Sequence, residues 1–230
     1  MVAVDYLLAG MVSMLTGLDR VAFVQFMISR PLVAGPLTGW VLGDPLTGLE
    51  VGMLLELLWL GRLPVGAAIP PDDTQVAVGA TVLAASTGHI VGLNGMPLVI
   101  LSVLIAIPLG KFGQVFDKLA RHVNDRLALT GYNALMSGNT AKMERCHLSG
   151  LVSFGLASLA TALVIVLVGS FVLFSLAPFL ISAIQEAGLS LQYSLILVGA
   201  AVLLGTTNVN RGISLFCTAF IGTLLVLWLR

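Results

Sequence analysis

The sequence feature that most limits the fold of this chain is a set of long stretches without any charged side chain. Asp, Glu, Lys and Arg are absent from residues 74–110, 146–185 and 187–210. Only 10% of the residues are charged and 58% are hydrophobic, whereas soluble domains carry about 25% charged residues. The chain therefore has too few charges to cover a water-exposed surface. The sequence predicts an all-α, polytopic integral membrane protein with a single membrane domain over residues 1–230.

The charge balance and the cysteines exclude several classes of protein. The 11 basic and 11 acidic residues give a formal net charge of zero, so nucleic acid is not expected as a partner. Cys146 and Cys217 are too few for a disulfide framework or a zinc site. We expect both to be buried apolar side chains, and we expect no cofactor. The N-terminal segment carries Asp5 and lacks a basic region, so a cleaved signal peptide is not expected.

The apolar stretches predict spans of the roughly 20 residues that a membrane helix needs. Asn94-Gly95 and Pro97 divide the first long stretch into two helices, and Pro178 is expected to end the helix in the second. The spans are expected near residues 2–18, 76–91, 97–115 and 148–177.

The connection over residues 111–147 is expected to be exposed to water. It holds six basic and three acidic residues, and such an excess of Lys and Arg is typical of cytoplasmic segments. Asp117, Arg121 and Asp125 follow one another at four-residue spacing, which supports an amphipathic helix. We expect this cytoplasmic helix to continue the preceding span; a partner-docking surface is the alternative.

Two short apolar segments, 31–43 and 46–60, predict a broken helical hairpin. Each is short for a full crossing, and Gly43-Asp44-Pro45 between them is a turn signal. The pattern indicates a re-entrant hairpin, which needs surrounding protein or a water-filled cavity.

Small residues recur at four-residue spacing in both halves of this hairpin, which predicts close helix packing. They are Gly35, Gly39 and Gly43 in the first half and Gly48 and Gly52 in the second.

Glu56 lies on the same helical stripe as Gly48 and Gly52, so we expect it to face protein or a cavity rather than lipid. A carboxylate in the membrane costs roughly 2.5–3.5 kcal/mol and marks a functional site by default. The alternative is a structural partner for Arg30 or Arg62.

Asp72 and Asp73 allow two interpretations. Either can cap a helix that begins near Thr74, with Gln75 completing an arrangement like a capping box. Either can also accept hydrogen bonds from the hydroxyl groups of a polar substrate, and a cap that faces a cavity can do both.

A second interruption occurs near the C-terminus, at Thr206-Thr207-Asn208-Val209-Asn210-Arg211-Gly212. Paired interrupted segments in transporters point towards the binding site, so Asn208 is a candidate. An ordinary interfacial loop is the alternative.

Several short motifs occur in the order and spacing of one transporter family. They are Arg30-Pro31-Leu32, Gly43-Asp44, Leu55-Glu56, Leu60-Gly61, Gly66-Ala67-Ala68 and Pro71-Asp72. Together they resemble the membrane-embedded IIC component of the mannose/fructose/sorbose family of the bacterial phosphoenolpyruvate-dependent sugar phosphotransferase system. The resemblance is dense over about residues 20–115.

The resemblance implies an elevator-type transporter in the bacterial cytoplasmic (inner) membrane, in which a mobile core carries sugar past a scaffold. Proteins of this family pair with a second membrane subunit, IID, and assemble into larger oligomers. A cytoplasmic IIB protein, itself charged by IIA, phosphorylates the sugar as it crosses. This chain would then be a permease subunit for a hexose-type sugar and not an enzyme.

By position, Glu56 and Asp72 match the family's sugar-site carboxylates, and we add Asp73, Gln25 and Asn208 as further substrate-binding candidates. The chain departs from the family pattern at two places. Pro64 stands where the family commonly has Asn, and Met27-Ile28-Ser29 replaces the family's Gln-Phe-His, with Gln25 two positions upstream.

These lost amide positions motivate an alternative function, a sensor or regulatory subunit that no longer moves sugar. A third hypothesis is an intramembrane hydrolase with paired carboxylates from Asp44, Glu56 and Asp72. No hydrolase motif supports that third hypothesis.

Overall fold

The chain is described by a computed structural model that covers residues 3–60, 69–186, 191–206 and 212–228. The regular structure in this part of the chain is α-helical, as predicted. The helices are α1 (Ala3–Val21), α2 (Pro31–Val41), α3 (Pro45–Trp59), α4 (Asp73–Val91), α5 (Met96–Leu109), α6 (Lys111–Met136), α7 (Thr140–Glu186), α8 (Leu191–Thr206) and α9 (Gly212–Trp228).

One helical segment among the described residues, Thr140–Ala177 of α7, is long and apolar enough to cross a membrane. Helices α5 and α6 pass the same test together, although they are bent by 41° relative to each other. They would form a second span if the bent pair crosses as one unit.

Two predicted helix boundaries are wrong. Helix α7 continues through Pro178 to Glu186, because a proline in a long helix removes one backbone donor while the hydrogen bonds on both sides persist. The helix predicted over residues 97–115 ends at Leu109 instead, where Pro108 and Gly110 separate α5 from α6.

The predicted cytoplasmic connection, residues 111–147, is likewise not one helix. Helix α6 ends at Met136, Gly138 adopts a φ of 76°, and α7 begins at Thr140. A positive φ is readily adopted only by glycine, which explains why the helix breaks here.

Helix α4 forms the centre of the molecule and packs against α1, α2, α3, α5 and α7. Its side chains are buried around the whole helix, as at Val76, Ala77, Ala80 and Leu83. A helix that is apolar on all sides is typical of such a central position.

Helices α2 and α3 form the hairpin of two short helices. Gly35 and Gly39 lie against Gly48 and Gly52, and a Cβ atom at any of the four would collide with backbone atoms of the opposite helix. Gly43 does not belong to this contact, contrary to its place in the predicted stripe, since it lies in the turn with a φ of 79°. The re-entrant placement of the hairpin in a membrane stays a prediction.

The turn between α2 and α3 is fixed by Asp44. Its carboxylate accepts hydrogen bonds from the backbone N–H of Thr47 (3.1 Å) and from the Thr47 hydroxyl (2.6 Å). This is a helix N-cap followed by Pro45 at the first helical position. The carboxylate that the hydrolase hypothesis would use is therefore engaged in capping α3.

The prediction that both cysteines are buried is wrong. Cys146 is half-buried and Cys217 is exposed on α9. Most of the described side chains on α9 are exposed, so an apolar composition does not by itself mean burial within this chain.

Candidate functional site

A cavity of about 620 Å³ lies where the end of α1, the segments before α2 and α4, and the facing sides of α6 and α7 meet. This volume falls within the range of about 300–1,000 Å³ that is usual for small-molecule sites. The lining residues that carry charge are three arginines and three aspartates, namely Arg20, Arg30, Arg121, Asp72, Asp73 and Asp117.

Asp72 occupies the wall of this cavity as the N-cap of α4. Its Oδ1 accepts a hydrogen bond from the Gln75 backbone N–H (3.0 Å), and its own backbone N–H donates to the carbonyl O of Gly110 (3.1 Å). Pro70 and Pro71 precede it and cannot extend α4 backwards as helix interior. The predicted cap is confirmed, although α4 begins one residue earlier than expected, at Asp73.

Arg20, in the last turn of α1, joins both candidate aspartates. Its Nη1 forms an ion pair with Asp72 Oδ1, and its Nη2 lies 3.1 Å from Asp73 Oδ1 and 3.3 Å from the carbonyl O of Pro71. The planar guanidinium group can donate in several directions at once. A single side chain therefore satisfies three acceptors on the segment that leads into α4.

A buried polar contact below the cavity holds α1 against α4. The Ser13 hydroxyl donates to Gln75 Oε1 (2.7 Å), and Gln75 Nε2 donates to the carbonyl O of Ser13 (3.0 Å). Gly17 allows α7 to join this contact, because a Cβ atom there would overlap the side chain of Ser158. The expected capping-box role of Gln75 is thus replaced by a link to α1.

Helix α6 supplies another wall. Arg121 Nε donates to Asp117 Oδ2 at 2.6 Å, which is one of the two predicted pairs at four-residue spacing. Gly113 faces Asp72, and a Cβ atom at Gly113 would lie 2.5 Å from Asp72 Cβ. The absence of a side chain at residue 113 lets α6 approach this carboxylate closely.

Glu56 reaches the cavity wall only through another residue. Its carboxylate forms an ion pair with Arg30, which lines the cavity, and accepts a hydrogen bond from the Leu32 backbone N–H (3.3 Å). Of the two structural partners considered, Arg30 is the one observed. Arg62 lies outside the residues that the structure describes.

The structure does not bring Gln25 to the cavity, and it does not describe Asn208. Gln25 is exposed in the loop between α1 and α2 and is absent from the cavity lining, and Asn208 lies outside the described residues. Of the five candidates, Asp72 and Asp73 line the cavity and Glu56 lies one ion pair away.

The loop between α1 and α2 has an unusual backbone. Val24, Gln25 and Met27 have φ values of 64°, 57° and 64°, a region that residues other than glycine rarely adopt. The buried Asp19 carboxylate holds the loop by accepting hydrogen bonds from the backbone N–H groups of Phe26 (2.6 Å) and Ser29 (3.0 Å).

Sequence reasoning missed Arg20. The sequence contained a signal for it. Asp72 and Asp73 are the only charged residues between Arg62 and Lys111, and Arg20 is the only basic residue before Arg30. Two neighbouring carboxylates in an apolar region require a cation from elsewhere in the chain.

The arrangement supplies both hydrogen-bond donors and acceptors to a ligand. Carboxylates and guanidinium groups meet in one cavity, which suits a ligand with many hydroxyl groups. Within the described residues, no group of three or more His, Cys, Asp or Glu side chains is placed to hold a metal ion.

Comparison of the fold defines the general class of protein. A solved membrane-protein structure aligns with 97% of this chain and 87% of its own length, with a TM-score of 0.69 and 23% identity. The cryo-EM structure of the mannose transporter ManYZ in complex with microcin E492 aligns over the same shares, with a TM-score of 0.64 and 24% identity. The chain therefore has the fold of a helical membrane protein that occurs in a transporter.

Sequence comparison then gives the family. The model of the phosphotransferase-system (PTS) sorbose-specific IIC component matches residues 3–228. The sorbose-specific EIIC component of Lacticaseibacillus casei is 30% identical over 199 residues, which cover 86% of this chain and 69% of that protein. The chain belongs to this family of PTS IIC components, as the sequence motifs predicted.

Another relative shows that the match is uneven. The mannose-specific EIIC component of Escherichia coli K12 is 32% identical over 127 residues, which are 55% of this chain and 45% of that protein. The chain thus spans about half the length of this relative.

Proposed function

We propose that this chain is the permease subunit of a sugar phosphotransferase system and that it binds a hexose-type sugar in the cavity beside Asp72 and Asp73. The observation that carries the proposal is the pair of carboxylates held at the wall of a 620 Å³ cavity. Membership of the IIC family supports it.

The charge of the cavity favours a neutral ligand. Three arginines and three aspartates line it, and their formal charges cancel. Each arginine already has a carboxylate partner, Arg20 with Asp72 and Asp73, Arg121 with Asp117, and Arg30 with Glu56. An anionic ligand would have to displace one of these partners, whereas sugar hydroxyl groups can donate to a paired carboxylate and accept from a paired guanidinium group.

The remaining candidates complete the proposal. Arg30 lies between Glu56 and the cavity. Glu56 would contact the sugar once its ion pair with Arg30 opens. Gln25 and Asn208 are proposed as further sugar contacts. They lie in the sequence beside the interrupted apolar segments, which in transporters point towards the binding site.

The proposed partners and placement are those that the family implies. The chain would lie in the bacterial cytoplasmic membrane with a IID subunit, in an oligomer that works as an elevator. Cytoplasmic IIA and IIB proteins would carry the phosphoryl group, and the segment over residues 111–147 would face them. This chain would contribute contacts to the sugar and the path by which the sugar crosses the membrane.

The test is sugar binding by the full chain, co-purified with its IID partner in lipid nanodiscs. Mannose, fructose, sorbose and N-acetylgalactosamine are the probes. A hydrogen bond to a charged group contributes about 1.5–3 kcal/mol, so Asp73→Asn and Asp72→Asn are expected to weaken binding about 10- to 150-fold. Asp125→Asn is the matched control, because Asp125 is an exposed aspartate of α6 outside the cavity. Equal affinity in all three variants would exclude this cavity as the sugar site.

The second candidate function is a sensor or regulatory subunit that binds sugar without transporting it. It is favoured by the segment Met27-Ile28-Ser29, which replaces the family's Gln-Phe-His, and by the exposed position of Gln25. Phosphorylation-dependent uptake of labelled sugar into vesicles that contain IIA, IIB and IID would decide between the two functions. Uptake above the level of vesicles without this chain excludes the sensor.

A further inference from the structure

We propose that Arg20 is a positioning residue of the sugar site, which keeps Asp72 and Asp73 ionised and aligned as hydrogen-bond acceptors for the sugar. This inference rests on the proposed sugar-binding function. It assigns a role to a residue outside the candidate set Glu56, Asp72, Asp73, Gln25 and Asn208.

The guanidinium group of Arg20 reaches both aspartates at once. Arg20 approaches Asp72 and Asp73 with two different nitrogens, and one of these nitrogens also approaches the carbonyl O of Pro71. A planar group with five N–H donors can hold three acceptors in fixed relative positions, which a lysine ammonium group does less well. Arg20 therefore sets the angle between the two carboxylates.

Arg20 also acts electrostatically. Asp72 and Asp73 are adjacent, and their side chains are only 13% and 27% exposed. Burial raises the pKa of Asp72, and the nearby Arg20 cation opposes that rise. Arg20 is itself 21% exposed and so is little screened by solvent.

The other charged groups around the cavity have partners of their own. On α6, Arg121 pairs with Asp117, and before α2, Arg30 pairs with Glu56. The lining residues from α7 are uncharged: Phe154, Ala157, Ser158 and Thr161. Among the described residues that line the cavity, Arg20 is thus the cation paired with Asp72 and Asp73.

The two carboxylate oxygens of Asp72 have different surroundings. Arg20 and the Gln75 backbone N–H both approach Oδ1. Helix α6 packs closely on the side of Oδ2 at Gly113, where an added Cβ atom would come within 3.3 Å of this oxygen. We assign Oδ2 to a sugar hydroxyl, because Oδ1 already accepts from two donors.

A purely structural role for Arg20 would be to tie α1 to α4. The chain offers a matched control for that role, because Ser13 ties the same two helices through Gln75 without touching either aspartate. Ser13→Ala should lower the unfolding temperature and leave the ionisation and alignment of Asp72 and Asp73 unchanged. Arg20→Gln should change both of these properties.

The first experiment measures binding of the four sugars to the full chain with IID, as a function of pH, in Arg20→Gln, Arg20→Lys, Ser13→Ala and the unaltered protein. Arg20→Gln is expected to lose affinity about tenfold or more at neutral pH. Its affinity is expected to fall further as the pH is lowered, since a protonated carboxyl is a poorer acceptor. Arg20→Lys should recover part of the affinity and a pH profile closer to that of the unaltered protein, and Ser13→Ala should keep the unaltered profile.

The second experiment needs no sugar. Dicyclohexylcarbodiimide reacts with protonated carboxyl groups in apolar surroundings, and mass spectrometry locates the product. Asp72 or Asp73 should be labelled in Arg20→Gln and not in Arg20→Lys, Ser13→Ala or the unaltered protein.

The outcomes separate this inference from the proposed function. If the unaltered protein binds no sugar, the proposed function fails, and labelling in Arg20→Gln still decides whether Arg20 keeps the carboxylates ionised. If sugar binds, an Arg20→Gln variant with unchanged affinity, the pH profile of the unaltered protein and no labelling overturns the inference. Should Arg20→Gln not fold, Arg20→Lys decides, because unchanged affinity in that variant would show that bridging by guanidinium is not needed.

Discussion

Replacing Gly52 with alanine is expected to lower the free energy of unfolding by about 1–2 kcal/mol. Gly52 lies on α3 where this helix crosses the start of α2, and a methyl group there would lie 2.6 Å from the carbonyl O of Pro31 and 3.2 Å from Leu32 Cα. Both are backbone atoms. No side-chain rotation can therefore relieve the collision.

The magnitude follows from the separation that the two helices would need. Ordinary carbon–oxygen contacts in proteins are about 3.3–3.6 Å long, so α2 and α3 would have to move apart by roughly 0.7–1 Å. A gap of that size forfeits about a quarter to a half of the dispersion energy at the contact, and overpacking costs about 1–3 kcal/mol. The upper half of that range applies because the obstacle is backbone. Alanine recovers about 0.8–1.0 kcal/mol through its higher helix propensity.

The assay is a denaturant titration of the purified chain in mixed micelles, followed by circular dichroism. Gly199→Ala is the control, since Gly199 is also inside a short helix but an added Cβ atom would meet nothing within 4 Å. That variant should keep its stability or gain up to about 1 kcal/mol. If Gly52→Ala unfolds at the same denaturant concentration as Gly199→Ala, the close packing of the hairpin is refuted.

Two further changes test the surroundings of the cavity. Gly113→Ala should weaken sugar binding about tenfold without loss of helix content, because the methyl group would lie 2.5 Å from Asp72 Cβ and displace the carboxylate. Gly131→Ala is the control on the same helix; its nearest contact would be at 3.5 Å, and it should bind sugar normally. Equal affinities in the two variants would contradict the assignment of the sugar to this cavity. Asp19→Ala should raise the rate of chymotrypsin cleavage within residues 22–29 about tenfold or more, because two backbone N–H groups lose a charged acceptor. An unchanged cleavage rate, measured by mass spectrometry of the fragments, would show that this carboxylate does not hold the loop.

The parts of the structure that could be predicted are those determined by neighbours in sequence. Gly43-Asp44-Pro45 predicts a turn, and the structure has one there, with Asp44 as the N-cap of α3. Asp72 three residues before Gln75 indicates a second cap, which is also present. Glycines at four-residue spacing predict close packing irrespective of which helix is the partner.

The parts that could not be predicted depend on which helix ends meet. The whole hairpin lies between Arg20 and Asp72 in the sequence, and their pairing follows from the packing of α1 on α4. Local pattern also left two partners open for Glu56, and only the fold selects Arg30. The break expected at Pro178 is absent, and α7 continues to Glu186. Proline is tolerated inside membrane helices because neighbouring groups satisfy the backbone carbonyl that it frees.

The contacts that build the cavity also limit how the proposed elevator could move. Arg20 and Ser13 join α1 to the start of α4, and the Thr74 hydroxyl donates to the carbonyl O of Ser29 (2.7 Å) in the segment that leads into α2. The links through Arg20 and Thr74 belong to the cavity wall, and the link through Ser13 joins the same two helices outside the lining. Separating α1, α4 and the segment before α2 from one another would therefore dismantle the proposed sugar site. In the proposed elevator we expect these elements to move together, with the boundary between the moving core and the scaffold beyond them.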